Sequence, residues 1–318
     1  METVSQLGFA IFVGEHRQQI KRRDVLRAVA VARILRHNTQ DMIIDGKTIA
    51  NDIIERLRVQ PKSGRFFGAA LVGDDPASLN FLKQKEHVAR ELGIEFRLHQ
   101  LSIGITTDEL RAEIGRLAEP KTCGAFIVQL PLPEKINRYY VLNAIPKEKD
   151  VDCLSEAALG AFYTERGKIA PPSVATVEEI LGREHSALEN KPGALREWKA
   201  VVIGAGFLIG KPVGFWLQNR VAELVVLDAS VKNIHEKLGD ADIVIAGAGH
   251  ANLFSAQHLK EGAVVIDFGF NRTADRKNIG DFDPAGADEK NIHYTKTPGG
   301  TGPILVAKLF ENFLKLNS

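Results

Sequence analysis

The chain has 318 residues, 44% of them hydrophobic and 25% charged, which are ordinary globular values with length for about two domains. Wholesale disorder is excluded, and 41 Lys plus Arg against 40 Asp plus Glu leave a net charge of +1, so no overall field draws nucleic acid or anionic lipid. Small neutral or anionic ligands remain open. Only two cysteines occur, Cys123 and Cys153, with no CxxC and no Cys/His cluster. That argues against a disulfide scaffold or a zinc site and fits a reducing cytoplasm.

At the amino terminus, Leu7 to Val13 is too short to span a bilayer and has no basic segment before it. Residues 16–37 are arginine-rich with helical apolar spacing at Val25, Val29 and Ala32. An organelle presequence is one reading, but Glu15 and Asp24 count against it. The preferred reading of residues 1–41 is a disordered or dispensable extension, with patterned sequence starting at Met42.

From residue 64, short apolar runs alternate with amphipathic stretches: Phe66 to Val72, Pro76 to Leu92, Ile94 to Leu101, Thr107 to Leu117, Gly124 to Leu130. This reads as βαβαβ. A polar, Gly- and Pro-punctuated region, including Pro171-Pro172 and Glu189 to Gly193, connects it to a second parallel α/β series. That series runs through Ala200 to Ile203, Gly204 to Leu217, Leu224 to Leu227, His235 to Leu238, Ile243 to Ala246 and Val264 to Phe268. The fold class is α/β: two lobes, the second a Rossmann-like doubly wound parallel sheet, with ligands expected in the crevice at the strands' carboxyl ends.

Residues 199–212, KAVVIGAGFLIGKP, read as strand, glycine turn and helix, with Gly204, Gly206 and Gly210 giving the close backbone approach and free helix N-terminus that suit a pyrophosphate. The spacing is GxGxxxG rather than GxGxxG. Asp228 ends the next apolar run, where a dinucleotide fold places the acid that accepts from ribose hydroxyls. A carboxylate there repels a 2'-phosphate and Ala229-Ser230 supply no cation, so NAD is favoured over NADP.

On the helix from Pro76, Ala77, Phe81, Val88 and Leu92 form an apolar stripe in which Lys85 fills the gap, while Lys83, Glu86 and Arg90 face solvent. Burial lowers a lysine's pKa and suits it to proton transfer; snorkelling is the plainer alternative. Gln129 ends the strand before Pro131-Leu132-Pro133, and Lys149-Asp150-Val151-Asp152 puts two carboxylates at alternate positions. For these, capping or solvated roles are equally open. Pro298 to Pro303 is a glycine-proline loop leading into a final helix, Ile304 to Leu314, whose amides suit phosphate, carboxamide or carboxylate.

IIDGKTIA (43–50), LVGDDPAS (71–78), Lys85, VQLPLP (128–133), KDVD (149–152), VIDFGFNR (265–272) and PGGTGP (298–303), in this order, make the chain resemble the bifunctional methylenetetrahydrofolate dehydrogenase/methenyltetrahydrofolate cyclohydrolase family. The resemblance covers residues 42 to about 316. It implies a folate-binding domain (42–155 with 298–318) and a Rossmann NAD(P)-binding domain (156–297), usually as a homodimer. The implied activity is oxidation of methylenetetrahydrofolate with NADP or NAD and hydrolysis to 10-formyltetrahydrofolate, in one-carbon metabolism and purine biosynthesis. By position it implies Lys85, Gln129 and Asp152 as catalytic. Substrate contacts fall on Phe81, Ser78, Leu132, Pro298, Gly299 and Gly300, and cofactor contacts on Gly204, Gly206, Gly210, Asp228, Ala248, Gly249 and Thr301. No metal, membrane or nucleic acid is implied.

Several positions depart from the family pattern. Phe81 replaces a tyrosine, Cys153 a glycine after Asp152, Gly206 a serine and Lys296 a proline, and Pro171 to Val174 replaces a cysteine-threonine-proline run. A ring at 81 keeps stacking on folate but loses the phenolic hydroxyl, which bears on the cyclohydrolase step. Bacterial members generally prefer NADP, against the reading of Asp228. Another two-domain NAD(P) dehydrogenase, or a non-catalytic folate- or nucleotide-binding relative, are the alternatives.

Overall fold

The computed structural model describes residues 42–188, 194–228, 230–272 and 278–318. The expectations for residues 1–41 and for the connecting stretch 189–193 lie outside the described residues.

The first α/β series comprises β1 (Ile43–Ile44), α1 (Gly46–Arg58), β2 (Phe66–Val72), α2 (Pro76–Leu92), β3 (Phe96–Leu101), α3 (Thr107–Ala118) and β4 (Cys123–Val128). Helices α4 (Arg138–Leu142), α5 (Glu156–Tyr163) and α6 (Pro172–Leu188) lead to the second, β5 (Lys199–Ile203), α7 (Gly210–Leu217), β6 (Glu223–Leu227) and β7 (Ile243–Ala246). It continues through the short β8 (Phe254–Ser255), β9 (Val264–Asp267), β10 (Asn271–Arg272), β11 (Asn278–Ile279), β12 (Phe282–Asp283), β13 (His293–Thr295) and the final α8 (Thr301–Leu316). None of the described helices is long and apolar enough to cross a membrane.

Local chemistry sets the element ends. Asp75 accepts the Ser78 N–H at 2.8 Å, Pro76 takes the first turn of α2, and Gly93 closes it at φ +66°. Thr106 and Glu109 form a reciprocal capping box on α3. β2 is buried at every position, as a central parallel strand covered on both faces must be, and it lies between β3 and β4 in a three-stranded sheet.

The second sheet has six parallel strands in the order β1-β13-β9-β7-β5-β6. From β5 the chain fills one side with β6, then crosses to β7, β9 and β13, so the order reverses at β5. In a doubly wound sheet the ligand crevice opens at that reversal, outside the carboxyl ends of β5 and β7. Residues 204–210 and 247–250 therefore form its two walls. β1 pairs with β13 at the edge of this sheet, although its residues lie in the segment read as folate-binding.

Helix α8 packs on α1, α6 and α2 and shares one core with both sheets, where Phe310 lies 5.1 Å from Phe67. On α2 the buried residues are Ser78, Leu82, Lys85, Ala89 and Leu92, with Phe81 and Val88 only partly covered. Ala77 is exposed. The inner face is thus turned by about one residue from the expected stripe, because 82, 85, 89 and 92 are the positions that follow the helical period onto the sheet. Lys85 belongs to both stripes.

Candidate active site

A cleft of about 250 Å³ is lined by Phe81, Lys85, Gln129, Asp152, Ser173 and Leu305, among others. Each arrives for a local reason. Lys85 stands on the buried face of α2, in its third turn. Gln129 directly follows β4 and extends its pairing by donating its backbone N–H to Ala70 O at 2.8 Å. Asp152 lies in the turn after the KDV segment. That turn is fastened by Asp150, whose Oδ2 accepts from the N–H groups of Leu154 (3.0 Å) and Ser155 (2.7 Å).

Lys85 is 6% exposed, and its Nζ donates to Gln129 Oε1 at 2.9 Å. Gln129 Nε2 donates to Leu130 O at 2.7 Å, which fixes the amide with its oxygen toward the lysine. The ammonium lies 4.7 Å from the centre of the Phe81 ring. Burial pulls the Lys85 pKa down, and the Asp152 charge opposes that only in part. Burial pushes Asp152 up to about 6, with Lys85 pulling down and Asp150 pushing up. A buried amine and a half-buried carboxylate thus face one cleft, each drawn toward neutrality while holding the other charged.

The departures have structural correlates. Cys153 holds φ +55°, a left-handed conformation that a glycine adopts without a Cβ penalty. Its thiol is buried and burial pushes its pKa up, so it is inert. Ser173 lines the cleft and its hydroxyl donates to Leu208 O at 2.8 Å, linking α6 to the glycine loop. Lys296 Nζ reaches Asp45 Oδ1 at 3.1 Å.

Other expected substrate residues stand apart from this cleft's lining. Ser78 is buried in the cap of α2, and Leu132 is partly buried against the cluster around Phe126. Pro298, Gly299 and Gly300 form the loop before α8. A Cβ on Gly46 would fall 1.6 Å from Gly300 O, so the DGK and PGG motifs are mutually fitted backbones. In their place, Leu305, Val306 and Leu309 of α8 and Leu208 and Ile209 of the glycine loop complete the walls. Their spacing in sequence is that of ordinary core residues.

At the sheet reversal, the glycine turn forms a cradle that side chains would fill. A Cβ on Gly210 would fall 1.7 Å from Gly204 O, and one on Gly204, at φ +96°, 2.6 Å from Gly247 O. At Gly206 a Cβ would meet nothing within 4 Å, so packing within the protein does not demand glycine there. Asp228 is exposed at the end of β6, and its Oδ1 accepts from Ser230 N (2.8 Å) and Ser230 Oγ (2.5 Å). Ala248 and Gly249 flank the crevice but both turn their N–H groups onto Asp281. The Thr301 hydroxyl donates to Asp267 O at 3.0 Å. The tight turn at 204 and 210 and the carboxylate at 228 fit a dinucleotide.

Residues 44–152 match the model of the tetrahydrofolate dehydrogenase/cyclohydrolase catalytic domain, and residues 182–318 that of the NAD(P)-binding domain. The chain is 35% identical over 279 residues to the bifunctional protein FolD of Bacillus subtilis, covering 86% of this chain and 96% of that one. It is 36% identical over 283 residues to the FolD protein of Halothermothrix orenii, with the same coverage. The FolD structure from Campylobacter jejuni superposes with a TM-score of 0.78 at 32% identity, covering 86% of this chain and 98% of the other. The Trypanosoma brucei enzyme, solved with NADP and an inhibitor, gives 0.79 at 29%, covering 86% and 96%.

Proposed function

The chain belongs to the tetrahydrofolate dehydrogenase/cyclohydrolase family and is an NAD(P)-dependent methylenetetrahydrofolate dehydrogenase and methenyltetrahydrofolate cyclohydrolase; on that premise we propose that the single cleft around Lys85 serves both reactions. The observation that carries this is the buried 2.9 Å contact between Lys85 Nζ and Gln129 Oε1, in a cleft that also holds Asp152.

Asp152 grips the pterin: its two oxygens match the paired donors of the 2-amino group and ring N–H. Phe81 offers a flat ring against the folate. When bound, the dinucleotide supplies the hydride acceptor; the chain's part in oxidation is to hold the methylene carbon in place, since the folate nitrogens stabilise the cation formed. In hydrolysis, water attacks the methenyl carbon and Lys85 in its neutral form takes a proton. The C–N5 bond then breaks, one water proton ends on N5, and the other leaves to solvent. Gln129 holds the amine in line for both transfers.

Residues 42–155 with 298–318 act as the folate-binding part and 156–297 as the dinucleotide-binding part. NAD is the preferred cofactor, supported by the exposed carboxylate of Asp228 at the end of β6. The working form is a cytoplasmic homodimer that supplies formyl groups for purine biosynthesis. The position of β3 at the edge of its sheet, with Leu98 exposed, supports self-association, and the two buried free thiols suit a reducing compartment.

The test follows methenyltetrahydrofolate formation and decay with NAD and NADP in parallel, for wild type and Lys85→Met. Hydrolysis falls by about 10²-fold or more in the variant, while oxidation falls less. Equal loss of both, or wild type without either activity, overturns the reading.

A further inference from the structure

The second wall of the dinucleotide crevice is built on a buried carboxylate to which the sequence gives no role. Asp281 is 0% exposed. Its Oδ2 accepts from the N–H groups of Ala248 (2.7 Å) and Gly249 (3.1 Å), and its Oδ1 from His250 N–H (2.9 Å) and Asn271 Nδ2 (3.2 Å). The main chain beside it reinforces the attachment, since Asn252 N donates to Gly280 O at 3.1 Å and Phe254 N to Asp281 O at 3.3 Å.

Loop 247–250 leaves β7 at the reversal of strand order and rests against the glycine turn, where Gly247 O and Ala248 N lie closest to the space a Cβ on Gly204 would take. The loop's three successive amides from 248 to 250 would be unpaired donors once β7 ends. One carboxylate accepts from all three, and it turns them away from any incoming anion. With those N–H groups taken, the main-chain acceptors left to residues 248–250 are their carbonyl oxygens, a type suited to ribose hydroxyls or a carboxamide NH₂.

We propose that Asp281 is a positioning residue for the dinucleotide, holding the wall formed by residues 248–250 at the height the nicotinamide half needs. It touches no reacting atom. The inference rests on the dehydrogenase reading above, and the enzyme's two activities provide an internal control, because only oxidation uses the dinucleotide. An asparagine at 281 has one acceptor oxygen, and its amide nitrogen would face N–H donors whichever way it is turned. Gly269 leaves no room for a longer acid, since a Cβ there would fall 2.2 Å from Asp281 Oδ1.

The experiment compares full-length wild type and Asp281→Asn for the KM of NAD and NADP, and for the rate and KM of methenyltetrahydrofolate hydrolysis without dinucleotide. A rise of about tenfold or more in dinucleotide KM, with hydrolysis within about twofold of wild type, is expected. Unchanged dinucleotide KM overturns the inference, and so does a parallel loss of both activities, which marks a purely structural role. If Asp281→Asn gives no soluble protein, Asn271→Ala decides. It removes one of the four donors, and a smaller rise in dinucleotide KM at unchanged hydrolysis supports the assignment while no change overturns it. Wild type lacking either activity would sink the functional reading instead, and the two failures are distinguishable.

Discussion

The ring of Phe81 lies 4.7 Å from the ammonium of Lys85, one helical turn away on α2, so the residue that stands where the family usually has tyrosine faces the amine proposed to move the proton. A ring face favours the charged lysine by about 1 kcal/mol. Removing it in Phe81→Leu lowers the Lys85 pKa further, and the acid limb of the hydrolysis pH profile moves to lower pH. Loss of stacking raises the folate KM by roughly fivefold, as about 1 kcal/mol implies. An acid limb that stays in place, measured as hydrolysis rate from pH 5 to 9, would count against contact between ring and amine.

If Asp152 grips the pterin as proposed, it carries the pH dependence of substrate binding. Its pKa is raised, by burial first, to about 6, so the carboxylate that accepts the pterin donors is present above that value and is protonated as pH falls through it. The folate KM should be flat from pH 7 to 8 and rise below about 6, by up to about tenfold per pH unit. Asp152→Asn should raise the KM at pH 7 to 8 and remove the dependence, so that the difference from wild type shrinks as pH falls below about 6. A wild-type KM constant from pH 5 to 8 would show that a neutral group grips the pterin.

Much of this was legible in the residues. The limits of β2 and α2 follow from apolar runs bounded by Asp75, Pro76 and Gly93, and Lys85 announced itself as a charge inside an apolar stripe. Less legible was anything made by long-range fit. The Gly46 contact with Gly300, and the Asp281 contacts with amides 31 to 33 residues away, have no local signature. An aspartate in a turn reads as solvated until the fold closes over it. For the same reason Leu305 and Leu309 read as core, and only the placement of α8 turns them toward the cleft.

On the reading proposed above, Asp228 sets the dinucleotide preference. Its carboxylate stands exposed at the end of β6 and is already turned toward Ser230, poised to accept ribose hydroxyls and to repel a 2'-phosphate. Asp228→Ser should lower the NAD-to-NADP ratio of kcat/KM by about tenfold or more, as loss of one charge-assisted contact and one repulsion implies. An unchanged ratio, with both cofactors assayed at saturating folate, would remove the carboxylate from cofactor choice.

Glu179 on α6 ties three helices together. It accepts from Lys308 of α8 at 2.7 Å and pairs with Arg183 at 2.9 Å and with Arg56 of α1 at 3.1 Å. Burial pushes its pKa up, but the hydrogen bond and charge of Lys308, then Arg56 and Arg183, outweigh that and hold it at about 2 against an ordinary 4.5. The folded-state pKa lies below the unfolded one, so this stabilisation is complete above about 4.5 and fades as pH falls toward 2. Glu179→Gln should therefore lower stability at pH 7 by about 3 kcal/mol, the size expected when one partner of a mostly buried pair is removed. The difference should shrink steadily below pH 4.5. Thermal unfolding of both proteins at pH 7 and pH 3 decides it, because a deficit of equal size at the two pH values would mean that side-chain packing, not charge, is what the glutamate contributes.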